Sequence, residues 1–362
     1  MKRVSLKAQS AAIVGDYIYA LLKEGERLLL SVLNTDLEAV ETVWCGKGDA
    51  GFILKVEDDK ALVNLDDKLY LVKKDGEAGV VLVASKPGNV FWHLAEAEGR
   101  VFVHEYGLPP TPIYASKDLE RWEKIVTNLE IDKRSKHFHY ISFDPYRKWL
   151  IATLGDGCLT RVAISEDLGS SWRPLYKGAW QFVPITVLKD RVICGMDSGI
   201  AKGGLGIYYV DEDKWEFVFL RWKDKKVKHA QFCDLKFLDK GLWVAALGAP
   251  QAVIASQDLR LWYPLFIEGF DEAFNHNMLL SCGEDVIACS TGKALLVFNK
   301  DDIENAFTSK PVMVEYKAYW DKLVGYGFSI KHSILDKDVR NSSTSAFGKK
   351  RSSIGKSICA EG

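Results

Sequence analysis

Apolar residues along the chain fall in runs of four to eight, some alternating with polar residues and some continuous, and each run ends in a cluster of Gly, Asp, Asn or Pro. Residues 137–176 show the arrangement. HFHYISF is followed by the turn DPYRK, then WLIATL, the loop GDGCLT, RVAI, the polar turn SEDLGSS, and WRPLY. Short runs rich in β-branched and aromatic residues predict strands, and the continuous ones predict strands covered on both faces. No stretch keeps a 3.6-residue period over a helical length, so the expectation is an all-β chain.

The polar turn recurs. AISEDLGSSWRPL, at 163–175, has relatives in YASKDLERWEKI, with Ser116, Asp118 and Trp122, and in IASQDLRLWYPL, with Ser256, Asp258 and Trp262. Weaker copies supply Asp36, Asp75, Asp211 and Asp301, and the Asp series advances by 39, 43, 49, 44, 47 and 43 residues. Seven units of about 44 residues, each with four antiparallel strands, predict a seven-bladed β-propeller. Blades are expected at about 5–46, 47–85, 86–130, 131–180, 181–226, 227–270 and 271–320, with PVMVEYKA as the last strand of the last blade. Residues 321–335 read as an extension packed on the propeller edge, and 336–362, Ser-rich with a KKR run, as a flexible polar tail. Unit one holds four strands of its own, so no swapped closing strand is required.

Ser165-x-Asp167-x-Gly169-x-x-Trp172 is the pattern of the Asp-box, or BNR, repeat, and the chain resembles the sialidase-like propellers that carry it. The other two copies have Glu120 and Arg260 where the pattern asks for Gly. A turn Asp accepts backbone N–H groups, Gly169 takes a conformation that a Cβ would strain, and Trp172 packs between sheets. These roles are structural. The resemblance implies that the turns join third and fourth strands on the face away from the ligand site. It does not extend to sialidase chemistry, because the early F/Y-R-I-P arginine motif is missing and the only arginines before residue 100 are Arg3 and Arg27.

Composition narrows the partners. A net charge of -1 gives no general attraction for nucleic acid, which is not expected as a partner. The basic opening lacks an uninterrupted apolar stretch, and no later run reaches the roughly 18 residues of a membrane span, so neither export nor a membrane is expected. Seven scattered cysteines without a CxxC pair read as reduced thiols of a cytoplasmic protein, and neither a metal nor a cofactor is expected.

The loops between second and third strands lengthen in units three to six: HEYGLPPTPI, LGDGCLTRV, MDSGIAKGGLGI and LGAPQAV. Long loops on a rigid scaffold concentrate ligand contacts, so a site is expected over blades three to six. Basic, aromatic and His residues gather there. His139 or His93 is a candidate general base and Tyr106 a candidate acid, while Asp156 with Asp197 or Glu105 forms a candidate carboxylate pair. Arg134, Lys136, His137, His229 and His276 are candidate ligand contacts, with Trp92 and Trp222 as stacking surfaces. The ordinary alternatives are a hydrogen-bonded histidine at a strand start, a solvated Lys run and an Asp that only starts a turn.

Three function classes fit. The first is an enzyme on an anionic carbohydrate, by β-elimination beside a uronate carboxyl or by hydrolysis. The second is a non-catalytic module for a glycan or another anionic small ligand, and the third a protein-interaction platform. A catalyst needs His and Tyr, or two carboxylates, converging on one point; a binder needs only a lined groove.

Overall fold

In the computed structural model the apolar runs become strands, paired antiparallel in chain order. The structure describes residues 1–197, 203–223, 230–238, 241–270 and 274–315. Separate four-stranded meanders occupy 8–47, 51–83, 90–127 and 138–178. A further meander runs through Phe182–Val187, Arg191–Met196, Gly204–Tyr209 and Lys214–Trp222, and another through Gln231–Phe237, Trp243–Ala249, Gln251–Ser256 and Leu261–Gly269. The strand Met313–Glu315 pairs with the outer strands of both and joins them into one nine-stranded sheet. The remaining sheet combines Leu279–Cys282, Val286–Ser290 and Leu295–Asn299 with Lys2–Val4 from the chain start. The first strand of each set packs on that of the next, and Leu279–Cys282 packs on Ala8–Val14, so the chain closes on itself as an all-β propeller.

Burial explains the two kinds of apolar run. Trp243–Ala249, Gln251–Ser256 and Thr160–Ser165 are buried along their whole lengths, because a neighbouring sheet covers each face. The outer strand Ala39–Lys47 is largely exposed. Core clusters lie between sheets; one joins Ile193, Val218, Phe232, Trp243, Ile254 and Trp262 across the nine-stranded sheet.

Three expectations change. PVMVEYKA does not complete the last sheet: Met313–Glu315 bridges two outer strands instead, because Lys2–Val4 already fills the outer place beside Leu295–Asn299. Closure therefore does use a strand from the chain start. Asp301 is no strand-to-strand turn but lies in the first turn of a helix, Lys300–Ala306. There Asn299 accepts from the Asp302 amide at 2.8 Å and the Asp302 carboxylate accepts from the Asn299 amide at 2.9 Å, a reciprocal cap that stops the strand and starts the helix. Residues 321–335 and 336–362 lie outside the described residues.

The three Ser-x-Asp turns share one set of bonds. Ser116, Ser165 and Ser256 accept from the amides of Leu119, Gly169 and Leu259 at 2.9, 2.7 and 2.9 Å. Asp118 accepts from Glu120 and Arg121, Asp167 from Ser171, and Asp258 from Arg260 and Leu261, all at 2.8–2.9 Å. Each indole then donates back into its own turn, Trp122 to Leu119, Trp172 to Gly169 and Trp262 to Leu259. Leu119, Leu168 and Leu259 hold left-handed φ of 67°, 55° and 64°, and Leu119 and Leu259 are buried. The turn at 165–172 is one residue longer than the other two, and Gly169, at φ 100°, takes that extra place. Glu120 and Arg260 thus do not replace a required glycine.

Trp262 is fully buried, so Trp262→Ala should cost about 3–5 kcal/mol, whereas Asp258→Ala, which frees two amides at the surface, should cost about 1–2 kcal/mol. Urea unfolding midpoints of the two variants give the comparison; equal losses would mean that the turn, not the indole, holds these sheets together.

Candidate functional site

The chemistry-bearing side chains gather at the end of the ring opposite the Ser-x-Asp turns, above the third and fourth sheets. Val90–Ala97 and Phe138–Asp144 are the inner strands there, paired with Arg100–Tyr106 and Trp149–Leu154. Both inner strands bulge at this end: Trp92 and His93 together face His104, and His139 is the extra residue between the pairs Phe138–Leu154 and Tyr140–Thr153. A bulge turns side chains that would otherwise alternate. Similar shifts occur in the inner strands at 8–10, 53–55 and 182–185, so the bulge belongs to the fold and only its residues are particular to this site.

Asp156 is the centre of the cluster. Its Oδ1 lies 3.0 Å from His139 Nε2 and 3.4 Å from His137 Nε2, and Lys136 Nζ donates to its Oδ2 at 2.7 Å. His137 Nδ1 donates to the Gly107 carbonyl at 2.8 Å, and His139 Nε2 also lies 3.2 Å from the Gly155 carbonyl. Two glycines permit this approach. A Cβ on Gly155, at φ 84°, would sit 2.2 Å from the Leu159 carbonyl oxygen, and one on Gly107, at φ 142°, 2.2 Å from Asn89 Oδ1. Burial works against the Asp156 charge, but the two imidazoles and Lys136 outweigh it and hold the carboxyl well below the usual range. His139 is itself pushed down by burial, against the pull of Asp156.

Aromatic rings continue the cluster. The Tyr106 ring lies 4.3 Å from that of His137, 5.8 Å from His139 and 6.2 Å from His276. Burial and then the charges of Asp156 and Asp197 push its phenol up to about 12, so it keeps its proton. His276 is exposed, and burial of its inner side with the charge of His139 lowers its pKa, leaving a neutral imidazole near pH 7. Asp197 contrasts with Asp156. Among the described residues its side-chain partners are neutral, Gln231 Nε2 at 2.6 Å and Gln181 Nε2 at 3.3 Å, and burial raises it to about 6 despite those bonds, with the Asp156 charge adding to the rise.

Other candidates sit differently. Glu105 is fully buried and accepts from the Ser85 amide and hydroxyl, Asn89 and Tyr114 at 2.7–3.0 Å, so it ties a loop and offers no free carboxylate. Trp92 and Trp222 are buried, one against Tyr106 and His276 and the other against Phe270, and neither presents a stacking face. His93 is half-buried with both ring nitrogens enclosed, between Trp92 and Tyr140. Lys136 and Arg134 are exposed at the rim, while His229 lies outside the described residues. The loop LGAPQAV is not long: Pro250 alone separates Trp243–Ala249 from Gln251–Ser256.

Sequence reasoning passed over His104, Gln181 and Gln231. His104 stacks on His93 at 5.9 Å, and burial lowers its pKa to about 3. Only the bulge, which carries no sequence mark, brings His104 opposite His93. Among the described residues no helix is long and apolar enough to cross a membrane.

No family model matches the sequence, and no curated protein sequence matches it. Solved structures do match. Virginiamycin B lyase from Staphylococcus aureus superposes with a TM-score of 0.60 at 11% identity, over 81% of this chain and 97% of that one. Streptogramin B lyase gives 0.58 at 10% identity, over 82% and 96%, and YCF48 bound to D1 peptide gives 0.55 at 13% identity, over 83% and 95%. These neighbours are β-propellers, and at such identities the likeness is one of fold alone.

The raised pKa of Asp197 sets a direction for stability. Its contribution is fully present below the unfolded carboxyl value near 3.8 and is lost as pH rises through about 6. Asp197→Asn should therefore gain roughly 2–3 kcal/mol on the parent at pH 8 and nothing at pH 3.5. Denaturant unfolding at the two pH values measures this, and a gain independent of pH would show that Asp197 is ionised without penalty.

Proposed function

We propose that the chain is a seven-bladed propeller of the Asp-box type, and that it binds a small anionic ligand, a carbohydrate in the first place, at the channel mouth above the third and fourth blades. The blade count follows if Met313–Glu315 is a strap between two four-stranded meanders, which with the five other sheets make seven. The Asp-box reading is supported by three turns in which Ser, Asp and Trp repeat the same bonds. A cytoplasmic location belongs to this reading, supported by the free thiols of Cys45, Cys194, Cys233, Cys282 and Cys289.

The single observation that carries the ligand reading is the convergence of Tyr106 with His137, His139 and His276 at one mouth. Convergence of imidazole and phenol suits acid–base chemistry better than a groove that only binds. In an elimination beside a uronate carboxyl, exposed His276 takes the proton from the carbon bearing the carboxyl. The C–H electrons form the new C=C bond, the bond to the glycosidic oxygen breaks, and Tyr106 gives that oxygen its phenolic proton. Lys136 and Arg134 attract the carboxylate at the rim. His139 and His137, buried and turned toward Asp156, shape the wall rather than exchange protons with the ligand.

A panel of uronate-containing and neutral polysaccharides, scored for binding and for unsaturated product, tests this. His276→Ala and Tyr106→Phe should each lose roughly 100-fold or more in turnover while binding changes little. Binding without turnover by the parent chain selects the non-catalytic module. No response to any sugar overturns the carbohydrate reading and favours a protein-interaction platform, for which Leu108, 60% exposed beside the mouth, is the apolar contact on offer.

A further inference from the structure

His137, His139 and Asp156 each bring one ligand atom within 4.8 Å of the other two. Closeness of this kind is common and proves little by itself, but the state of His137 adds an independent constraint. Its Nδ1 faces the Gly107 carbonyl at 2.8 Å, and a carbonyl can only accept, so Nδ1 carries the proton. Nε2 is then the ring nitrogen left facing Asp156. That atom is enclosed in a residue only 3% exposed, has no hydrogen-bond partner, and points at a carboxylate oxygen 3.4 Å away.

A buried nitrogen without a hydrogen-bond partner that faces a carboxylate oxygen is an arrangement that a cation shared between them satisfies. The 3.4 Å between His137 Nε2 and Asp156 Oδ1 matches the edge of a tetrahedron with 2.0–2.1 Å metal bonds, which is about 3.3–3.4 Å. The 3.0 Å separation of His139 Nε2 from Asp156 Oδ1 needs a shift of a few tenths of an ångström to reach the same edge.

We infer that His137, His139 and Asp156 form a binding site for a divalent first-row transition-metal ion, zinc in the first place, at the mouth of the propeller channel. Two imidazoles and one carboxylate are a borderline donor set, suited to such ions and poor for magnesium or calcium. The surroundings are those that metal ligands need. The Gly107 carbonyl fixes the His137 tautomer with Nε2 free, and Lys136 occupies Asp156 Oδ2, leaving Oδ1 for the ion. Loading moves the His139 proton from Nε2 to Nδ1. The partly exposed Tyr106 ring lies 4.3 Å from that of His137, so a ligand that reaches Tyr106 would offer its carboxylate or hydroxyl oxygens to the ion. The inference stands on the geometry of the three ligands and does not require the elimination chemistry.

The full-length chain, stripped with chelator, is titrated with Zn2+ by calorimetry and with Co2+ by visible absorption, with no sugar present. The expected result is one ion per chain and d–d absorption of a four- or five-coordinate cobalt site. His137→Ala and Asp156→Asn should each weaken binding by roughly 100-fold or more. Cys45→Ser, which removes the exposed thiol, should leave it unchanged. Circular dichroism and the unfolding midpoint show that each variant is folded, and His139→Gln serves as the second ligand variant if His137→Ala does not fold. No stoichiometric ion on the parent chain, or binding of equal strength in folded His137→Ala and Asp156→Asn, overturns the site. Because the readout is metal alone, a failed sugar screen leaves this result standing, and loss of metal leaves the sugar reading to its own test.

Discussion

The middle strands of this propeller have a sheet against each face, and that one constraint distributes everything else. A strand covered on both sides can carry polar groups only at its ends, where loops and water meet it. The two ends of the ring then divide the work. At one end, short Ser-x-Asp turns saturate their own amides and press a tryptophan back beneath them. At the other, the connections at 107–111 and 155–159 and the bulged starts of the inner strands hold the imidazoles, the phenol and the carboxylates.

Two carboxylates that enter the interior are held by several partners each. Glu105 accepts four hydrogen bonds, and Asp234 accepts from the amides of Leu235 and Leu280 at 2.8 and 2.9 Å while pairing with Lys236 at 3.0 Å. Enclosed ring nitrogens of His93, His104 and His137 are among the buried polar atoms without a hydrogen-bond partner. They all lie in the third and fourth sheets.

Local features of this fold were legible in the sequence, and long-range ones were not. Strand runs and the Ser165, Ser116 and Ser256 turns could be read because each is settled within about ten residues. The closing strand Lys2–Val4 is three residues long and pairs with Leu295–Val297 across nearly the whole chain, so no local pattern announces it. The helix Lys300–Ala306 is too short to show a period, and its cap, Asn299 with Asp302, hid inside an expected Asp turn. At the site, His137 and His139 were found by residue type, but their common focus on Asp156 depends on a bulge and on a hairpin loop brought back by Gly155. Glu105 and Trp92 were misplaced for the converse reason. Charge and aromaticity mark a residue as capable of binding, while the direction of its side chain is set by register.

The two carboxylates at the mouth show how far environment, rather than residue type, decides chemistry here. Asp156 and Asp197 follow equivalent strands of adjacent sheets, each within the connection between second and third strands. Asp156 meets two imidazoles and an ammonium group and is held ionised; Asp197 meets two primary amides and is pushed toward the neutral acid. Asp197 stands where the fourth sheet has Gly155, one place before Asp156, since the amides of Gly155 and Asp197 make the equivalent bonds to the His137 and Gln181 carbonyls. The repeat thus supplies places and not functions. What distinguishes this mouth is that the fourth sheet contributes His137, His139 and Asp156 together, next to a third sheet that contributes Tyr106, so that charge, proton donor and lone pairs meet where the ring opens to solvent.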